Sequence, residues 1–141
     1  MCFQCLLRPA DRAAVLASIA RHLAADIRFF LDSRNPQARE WEVWTLEATR
    51  EARGHPEFGQ VERWNAAGWD AKASTVTYST HYLVPDGQCF VARSEISVPG
   101  FDELAAAISG AGLRVVRWFG EPSGGPIRPG CPDFIPFGGL A

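Results

Sequence analysis

The chain lacks a surplus of either charge, long apolar runs and a basic leader. Fourteen Lys and Arg stand against sixteen Asp and Glu, a net of −2, and no basic block occurs. The clustered positive face that holds nucleic acid is therefore not expected. No apolar stretch approaches the roughly 18 residues that cross a bilayer, and no basic segment followed by an apolar core marks a signal peptide. The expectation is a cytoplasmic protein with no nucleic-acid or membrane partner. Cysteine is scarce, with four residues in the chain. Cys2-Phe3-Gln4-Cys5 fits C-x-x-C, but it has no second pair and no histidine at ligand spacing, whereas closed zinc sites need about four ligands. The expectation is no metal and small buried thiols in a reduced protein. One further absence matters most: neither a strand nor a Gly-rich turn precedes the first helical pattern.

At 141 residues and 47% hydrophobic, the chain is long enough to bury a core as one domain. From Ala10 to Ala24, Val15, Leu16, Ile19 and Leu23 follow helical spacing, with Pro9 near the first turn and Asp11 placed for the helix dipole. Residues 27–31 form a near-continuous apolar run, expected as a strand covered on both faces, and Asp32-Ser33-Arg34-Asn35-Pro36 reads as the polar loop that ends it. Residues 37–50 read as a second helix with Trp41 and Trp44 on one face, broken at Arg53-Gly54-His55-Pro56. Residues 60–65, 74–84 and 88–98 alternate with period two and read as three antiparallel strands, the last two joined by Pro85-Asp86-Gly87. On the middle strand Val76, Tyr78, Thr80 and Tyr82 share one face, and Thr75, Thr77, Ser79 and His81 the other. A third helix opens at Phe101 and stops at Ala111-Gly112. A strand over 113–119, a Gly/Pro-rich loop and a short strand from Asp133 to Phe137 complete the pattern. The fold class is α/β, a partial doubly wound sheet with an antiparallel β-meander inserted at 59–98.

These residues resemble a known family. Phe3-Gln4, the helix end Ala20-Arg21-His22-Leu23, and the run Arg28-Phe29-Phe30-Leu31-Asp32-Ser33-Arg34-Asn35-Pro36 are similar to the middle of class I S-adenosylmethionine-dependent methyltransferases. Thr80-His81-Tyr82, Pro85-Asp86-Gly87, Phe101-Asp102-Glu103-Leu104 and Trp118-Phe119-Gly120 continue the likeness over nearly the whole chain. The helix-to-strand turn departs from the pattern: Ala24-Ala25-Asp26-Ile27 stands where the family usually has Pro and Gly. The resemblance implies the C-terminal half of a Rossmann-like sheet. It also implies S-adenosylmethionine as cofactor and methyl transfer to a small-molecule acceptor. In the family the cofactor rests on a Gly-rich loop after the first strand and on an acid ending the second. Both would precede Met1, so the chain alone is expected to be inactive. The alternatives are a non-enzymatic remnant or binding module, or a half-protein that complements a separate N-terminal half. The strand at 27–31 would lose its neighbour in such a half, and self-association through that edge is expected.

The resemblance places Phe3 and Gln4 at the cofactor and substrate cleft, against the bland expectation of an N-terminal arm. Arg34 and Asn35 lie where ligands meet open α/β sheets. Arg34 suits an acidic substrate group, while loop capping and a surface ion pair explain the two equally well. Trp41 offers a wall for an aromatic substrate, and packing onto the meander is the competing expectation. His81 with Tyr78 is the candidate pair for catalytic proton transfer, since histidine titrates near neutral pH. A structural histidine is its rival.

Overall fold

The computed structural model describes residues 3–141, so a role for Cys2 in the C-x-x-C lies outside the described residues. The chain divides into two compact units, Met1–Arg39 with Ser97–Ala141, and Glu40–Ile96.

The first unit packs two helices on one face of an antiparallel sheet. Helix α1, Pro9–His22, starts with proline in its first turn, where the missing N–H costs nothing. Asp11 pairs with Arg8 at 2.7 Å, and this ion pair holds the Asp11 carboxyl below its ordinary range. Helix α3, Phe101–Gly110, carries Asp102 and Glu103 in its first turn, where carboxylates suit the helix dipole. It ends at Gly112, whose φ of +77° favours glycine. Their inner faces meet in a core of Leu16, Leu104 and Ile108 with Phe3, Phe29, Leu113, Cys131 and Phe134. Each large side chain buried there contributes about 1.5–3 kcal/mol.

The sheet of this unit is built on strand β8, Asp133–Leu140. It is paired along one edge by β7, Leu113–Phe119, and along the other by β1, Phe29–Phe30, and β2, Ser33–Arg34. Phe29 lies opposite Gly138 and Arg34 opposite Asp133 in one continuous antiparallel register, so β1 and β2 are one strand interrupted at Leu31 and Asp32. Two expectations are corrected here. Ser33 and Arg34 continue the ladder instead of looping away. The strand is also covered on one face only: Phe29 is buried, whereas Phe30 is 77% exposed, and Ile27, ahead of the paired residues, is exposed as well. Phe30 has its ring on the face opposite the helices, as strand alternation requires.

Arg12 ties the two helices together. Its guanidinium is buried, donates to the carbonyls of Leu6 (3.2 Å) and Leu7 (3.0 Å), and pairs with Glu103 at the start of α3. Arg12→Leu removes all three bonds and takes the Arg12 donor from the Leu7 carbonyl, while the Leu6 carbonyl keeps the Ser97 hydroxyl. It is expected to cost about 2 kcal/mol, measured as a lower urea midpoint with an unchanged slope.

The second unit is a four-stranded meander in the order β3, Glu51–His55; β4, Gly59–Asp70; β5, Thr75–Leu83; and β6, Cys89–Ser97. The sheet begins one strand earlier than the sequence texture suggests, because Arg53-Gly54-His55 pairs with Val61, Gln60 and Gly59 instead of simply ending a helix. The turn at Pro85-Asp86-Gly87 forms as expected, with Gly87 at φ +89° and Gln88 N–H donating to the Asp86 carboxylate at 2.9 Å.

The helix expected over 37–50 is replaced by two 3-10 turns, Pro36–Ala38 and Glu40–Val43, and one helical turn, α2, Leu46–Thr49. Asn35 caps the first turn through Gln37 N–H. Arg39 then adopts the left-handed region at φ +47°, which ends any continuous helix. Thr45 starts α2 afresh by accepting from Ala48 N–H at 3.3 Å. The expectation of buried thiols holds for Cys131 alone among the described cysteines, since Cys5 and Cys89 are exposed. Neither sits on a buried face: Cys5 ends a 3-10 turn, and Cys89 opens a strand that is exposed over most of its length.

Candidate functional site

In the first unit the site residues gather where the β1–β2 strand ends. Arg34 faces Asp133 across the ladder. Partial burial raises the Asp133 carboxyl above its ordinary value; the nearby Arg34 charge opposes the shift and Asp32 adds to it. The folded chain therefore holds this proton more tightly than the unfolded chain. The resulting stability is present below the ordinary value of 3.8 and is lost as pH rises through the raised value. Asp133→Asn is expected to raise the melting temperature slightly at pH 7 and to leave it unchanged below that ordinary value.

Asn35 is fully committed to structure. Its side-chain Nδ2 donates to the Cys131 carbonyl at 2.7 Å and its Oδ1 accepts from Gln37 N–H at 2.9 Å. Its backbone N–H donates to the Pro132 carbonyl at 2.9 Å. These bonds hold the Gly/Pro-rich loop against the strand end and shape a cleft of about 380 Å³, lined by Asn35, Gln37, Phe101, Ile127, Arg128 and Phe134. Phe101 packs against Phe134 edge to face with centroids 5.4 Å apart, so the cleft has an aromatic wall. Arg128 stands 3.8 Å from Glu121. Sequence reasoning singled out neither Phe101 nor Arg128 for the site: the first reads as a helix start and the second as loop. Asn35→Ala is expected to cost about 1–3 kcal/mol by leaving buried backbone groups without partners, seen as faster proteolysis of the loop between Gly120 and Pro132.

Phe3 and Gln4 lie in a 3-10 turn, Phe3–Cys5. Phe3 belongs to the core and Gln4 is equally buried, at 7% and 5% exposure. The Gln4 carbonyl accepts from Ser97 Oγ at 3.2 Å, and the Leu6 carbonyl accepts from the same hydroxyl at 3.1 Å. The Phe3 side chain packs in this unit's core, and Gln4 is buried.

In the second unit the strand alternation separates His81 from Tyr78. His81 lies opposite Trp64 in the ladder, and the two rings stack at 5.1 Å with planes 7° apart. His81 Nε2 is 3.0 Å from Ser79 Oγ on the same face. Tyr78 occupies the other face, where Trp44 meets it edge to face at 5.9 Å. Trp41 is buried on that face, stacked on Trp69 at 4.6 Å. The two tryptophans therefore pack on the sheet as expected, from a 3-10 turn instead of a helix. Among the described residues no group of three His, Cys, Asp or Glu converges to hold a metal, and no helix is long and apolar enough to cross a membrane.

No protein-family model and no curated protein matches the sequence. Solved structures do match. The CcbJ methyltransferase of Streptomyces caelestis superposes with a TM-score of 0.77 at 15% identity, over 99% of this chain and 53% of that one. An S-adenosylmethionine-dependent methyltransferase from Clostridium acetobutylicum gives 0.72 at 10%, over 99% and 55%. CalS10, an amino pentose methyltransferase from Micromonospora echinaspora solved with S-adenosylmethionine bound, gives 0.63 at 16%, over 99% and 54%. At these identities the likeness is one of fold. The chain has the fold of part of an S-adenosylmethionine-dependent methyltransferase, consistent with a C-terminal half, and spans about half the length of the structures it matches.

Proposed function

We propose that this chain is the acceptor-side half of an S-adenosylmethionine-dependent methyltransferase that acts on a small molecule. One observation carries the reading: the fold match covers 99% of this chain and only 53% of the methyltransferase it superposes on. In this reading Phe3 and Gln4 do not by themselves make a cofactor site, because Phe3 lies in the core and Gln4 is buried. The Gly-rich turn and the ribose-binding acid belong, in this reading, to other polypeptide of the same fold, continuous with Met1 or separate. The exposed Ile27, Phe30 and Val116 are apolar surface that such polypeptide would cover.

Direct methyl transfer asks the protein for alignment, and an acceptor hydroxyl or amine asks also for a base. His81 is the proposed base. Trp64 and Ser79 hold its ring, and no other described histidine shares that face with both a stacking ring and a hydroxyl. Arg34 is the proposed partner of an acidic acceptor group. Asn35 shapes the cleft. Tyr78 and Trp41 lie on the opposite face of that sheet, packed against Trp44 and Trp69, and in this reading neither touches the acceptor at His81. In the protein carrying both halves, His81→Asn is expected to lower kcat about 10²-fold with KM little changed, and to remove the acidic limb of the pH profile. An unchanged profile would assign His81 to structure.

The binding-module reading draws on the same packing of Phe3 and Gln4, since the first unit closes its core from its own residues. Equilibrium dialysis with labelled S-adenosylmethionine separates the two. Binding by the protein with both halves supports the methyltransferase. No binding by either form supports the module.

A further inference from the structure

The β3–β4 turn carries a second cavity, on the face of the second unit's sheet opposite His81. It has a volume of about 350 Å³ and is lined by His55, Phe58, Val61, Tyr82, Val84 and Phe90. The local sequence builds it. Pro56-Glu57-Phe58 make a three-residue hairpin closed by Gly59 at φ +72°, the loop class in which a left-handed glycine is required. The turn brings the His55 and Phe58 rings to 4.9 Å. Phe58, Tyr82 and Phe90 all remain exposed, so four rings border a concavity that the chain itself leaves open.

The polar groups in this wall are few and of one kind. Glu57 N–H donates to His55 Nδ1 at 3.2 Å. The neutral ring therefore carries its proton on Nε2 and offers a donor there. The Tyr82 phenol offers a second donor. Among the described residues no carboxylate or guanidinium lines the cavity, so a charged ligand would find no counter-ion among them. Its size lies at the lower end of small-molecule sites, roughly 300–1,000 Å³, and aromatic walls favour stacked or edge-on rings.

We propose that this cavity binds an uncharged, planar, two-ring compound bearing a carbonyl or ether oxygen, which accepts from His55 Nε2–H. The inference goes beyond the methyl-transfer reading, and its test reads binding alone, so either fails without the other.

The probe is coumarin, titrated into the 141-residue chain by saturation-transfer NMR, with indane as the ring-matched compound lacking oxygen. Saturable coumarin binding below about 1 mM is expected. Phe58→Ala and Phe90→Ala should each weaken it at least about fivefold; both side chains are half exposed, and circular dichroism checks that the variants fold. His55→Phe keeps a ring but removes the donor, so it should weaken coumarin and leave indane unchanged. The proposal is overturned by the absence of saturable binding, by affinity indifferent to Phe90→Ala, or by equal loss of both probes in His55→Phe. Sedimentation showing a dimer that Phe58→Ala dissociates and coumarin does not would also overturn it, assigning the face to a second copy of the chain.

Discussion

Gly138→Ala is expected to be among the most damaging single methyl additions in this chain. A Cβ at Gly138 would lie 2.1 Å from the backbone carbonyl oxygen of Arg114 and 3.0 Å from the Phe29 ring. The obstacle is a paired strand, not the end of a flexible side chain, so β7 must move away from β8 at the place where the ladder shifts register between Val115 and Arg117. Gly138 is also paired with both β1 and β7, through Phe29 and Val115, so the displacement spreads to both edges of the sheet. Overpacking ordinarily costs about 1–3 kcal/mol. With backbone as the obstacle the expected loss is about 3 kcal/mol, a fall in melting temperature on the order of 10 °C. Two other glycines are the controls. Gly54 has open space around its Cβ position, and Gly139 meets the Arg28 side chain at 3.1 Å and the Ile27 carbonyl oxygen at an ordinary van der Waals 3.5 Å. Alanine at either is expected to change stability by less than about 1 kcal/mol. A tolerated Gly138→Ala would mean that the β7–β8 pairing is looser than described.

Leu16→Ala is the second. Leu16 is completely buried and belongs to the cluster with Leu104, Ile108, Phe3 and Phe29. Truncation leaves a cavity between the helices and the sheet, at an expected cost of about 3–4 kcal/mol. That is a sizeable share of a total near 5–15 kcal/mol. Phe30→Ala is the informative comparison. Its ring lies on the opposite face of the same sheet and is largely exposed, so its loss from the 141-residue chain should be within about 0.5 kcal/mol of neutral. Chemical denaturation of the two variants side by side checks both. A large cost for Phe30→Ala would show that something covers that face in solution, and its concentration dependence would distinguish a second copy.

The sequence was most legible where the signal is local. Pro9, Asp11 and the 3.6 spacing of Leu16 and Ile19 mark α1. Gly112 marks the end of α3, and Pro85-Asp86-Gly87 the β5–β6 turn. It was least legible where a distant partner decides. Glu51–His55 becomes a strand because β4 pairs with it, and nothing within those five residues announces it. Trp41 and Trp44 have helical spacing, yet the left-handed Arg39 prevents a continuous helix, and 3-10 turns deliver the same rings to the sheet. At the candidate site, alternation correctly puts His81 and Tyr78 on opposite faces, and the Trp64 stack needed the cross-strand register to appear. Arg128 enters the cleft only through the loop that Asn35 fastens, and Phe101 from the start of α3, against Phe134.

The central claim is tested most directly by measuring S-adenosylmethionine binding and labelled methyl transfer in two forms. One is the 141-residue chain alone. The other is the same chain together with polypeptide bearing a strand, a Gly-rich turn and an acid-ended second strand, taken from the coding sequence that precedes Met1 or from a co-encoded partner. The expected result is no saturable binding by the chain alone, and binding with transfer to a small-molecule acceptor by the complete form. Stoichiometric micromolar binding by the chain alone would contradict the account, because Phe3 would then have to leave the core, and Gln4 its buried position, to make a cofactor site.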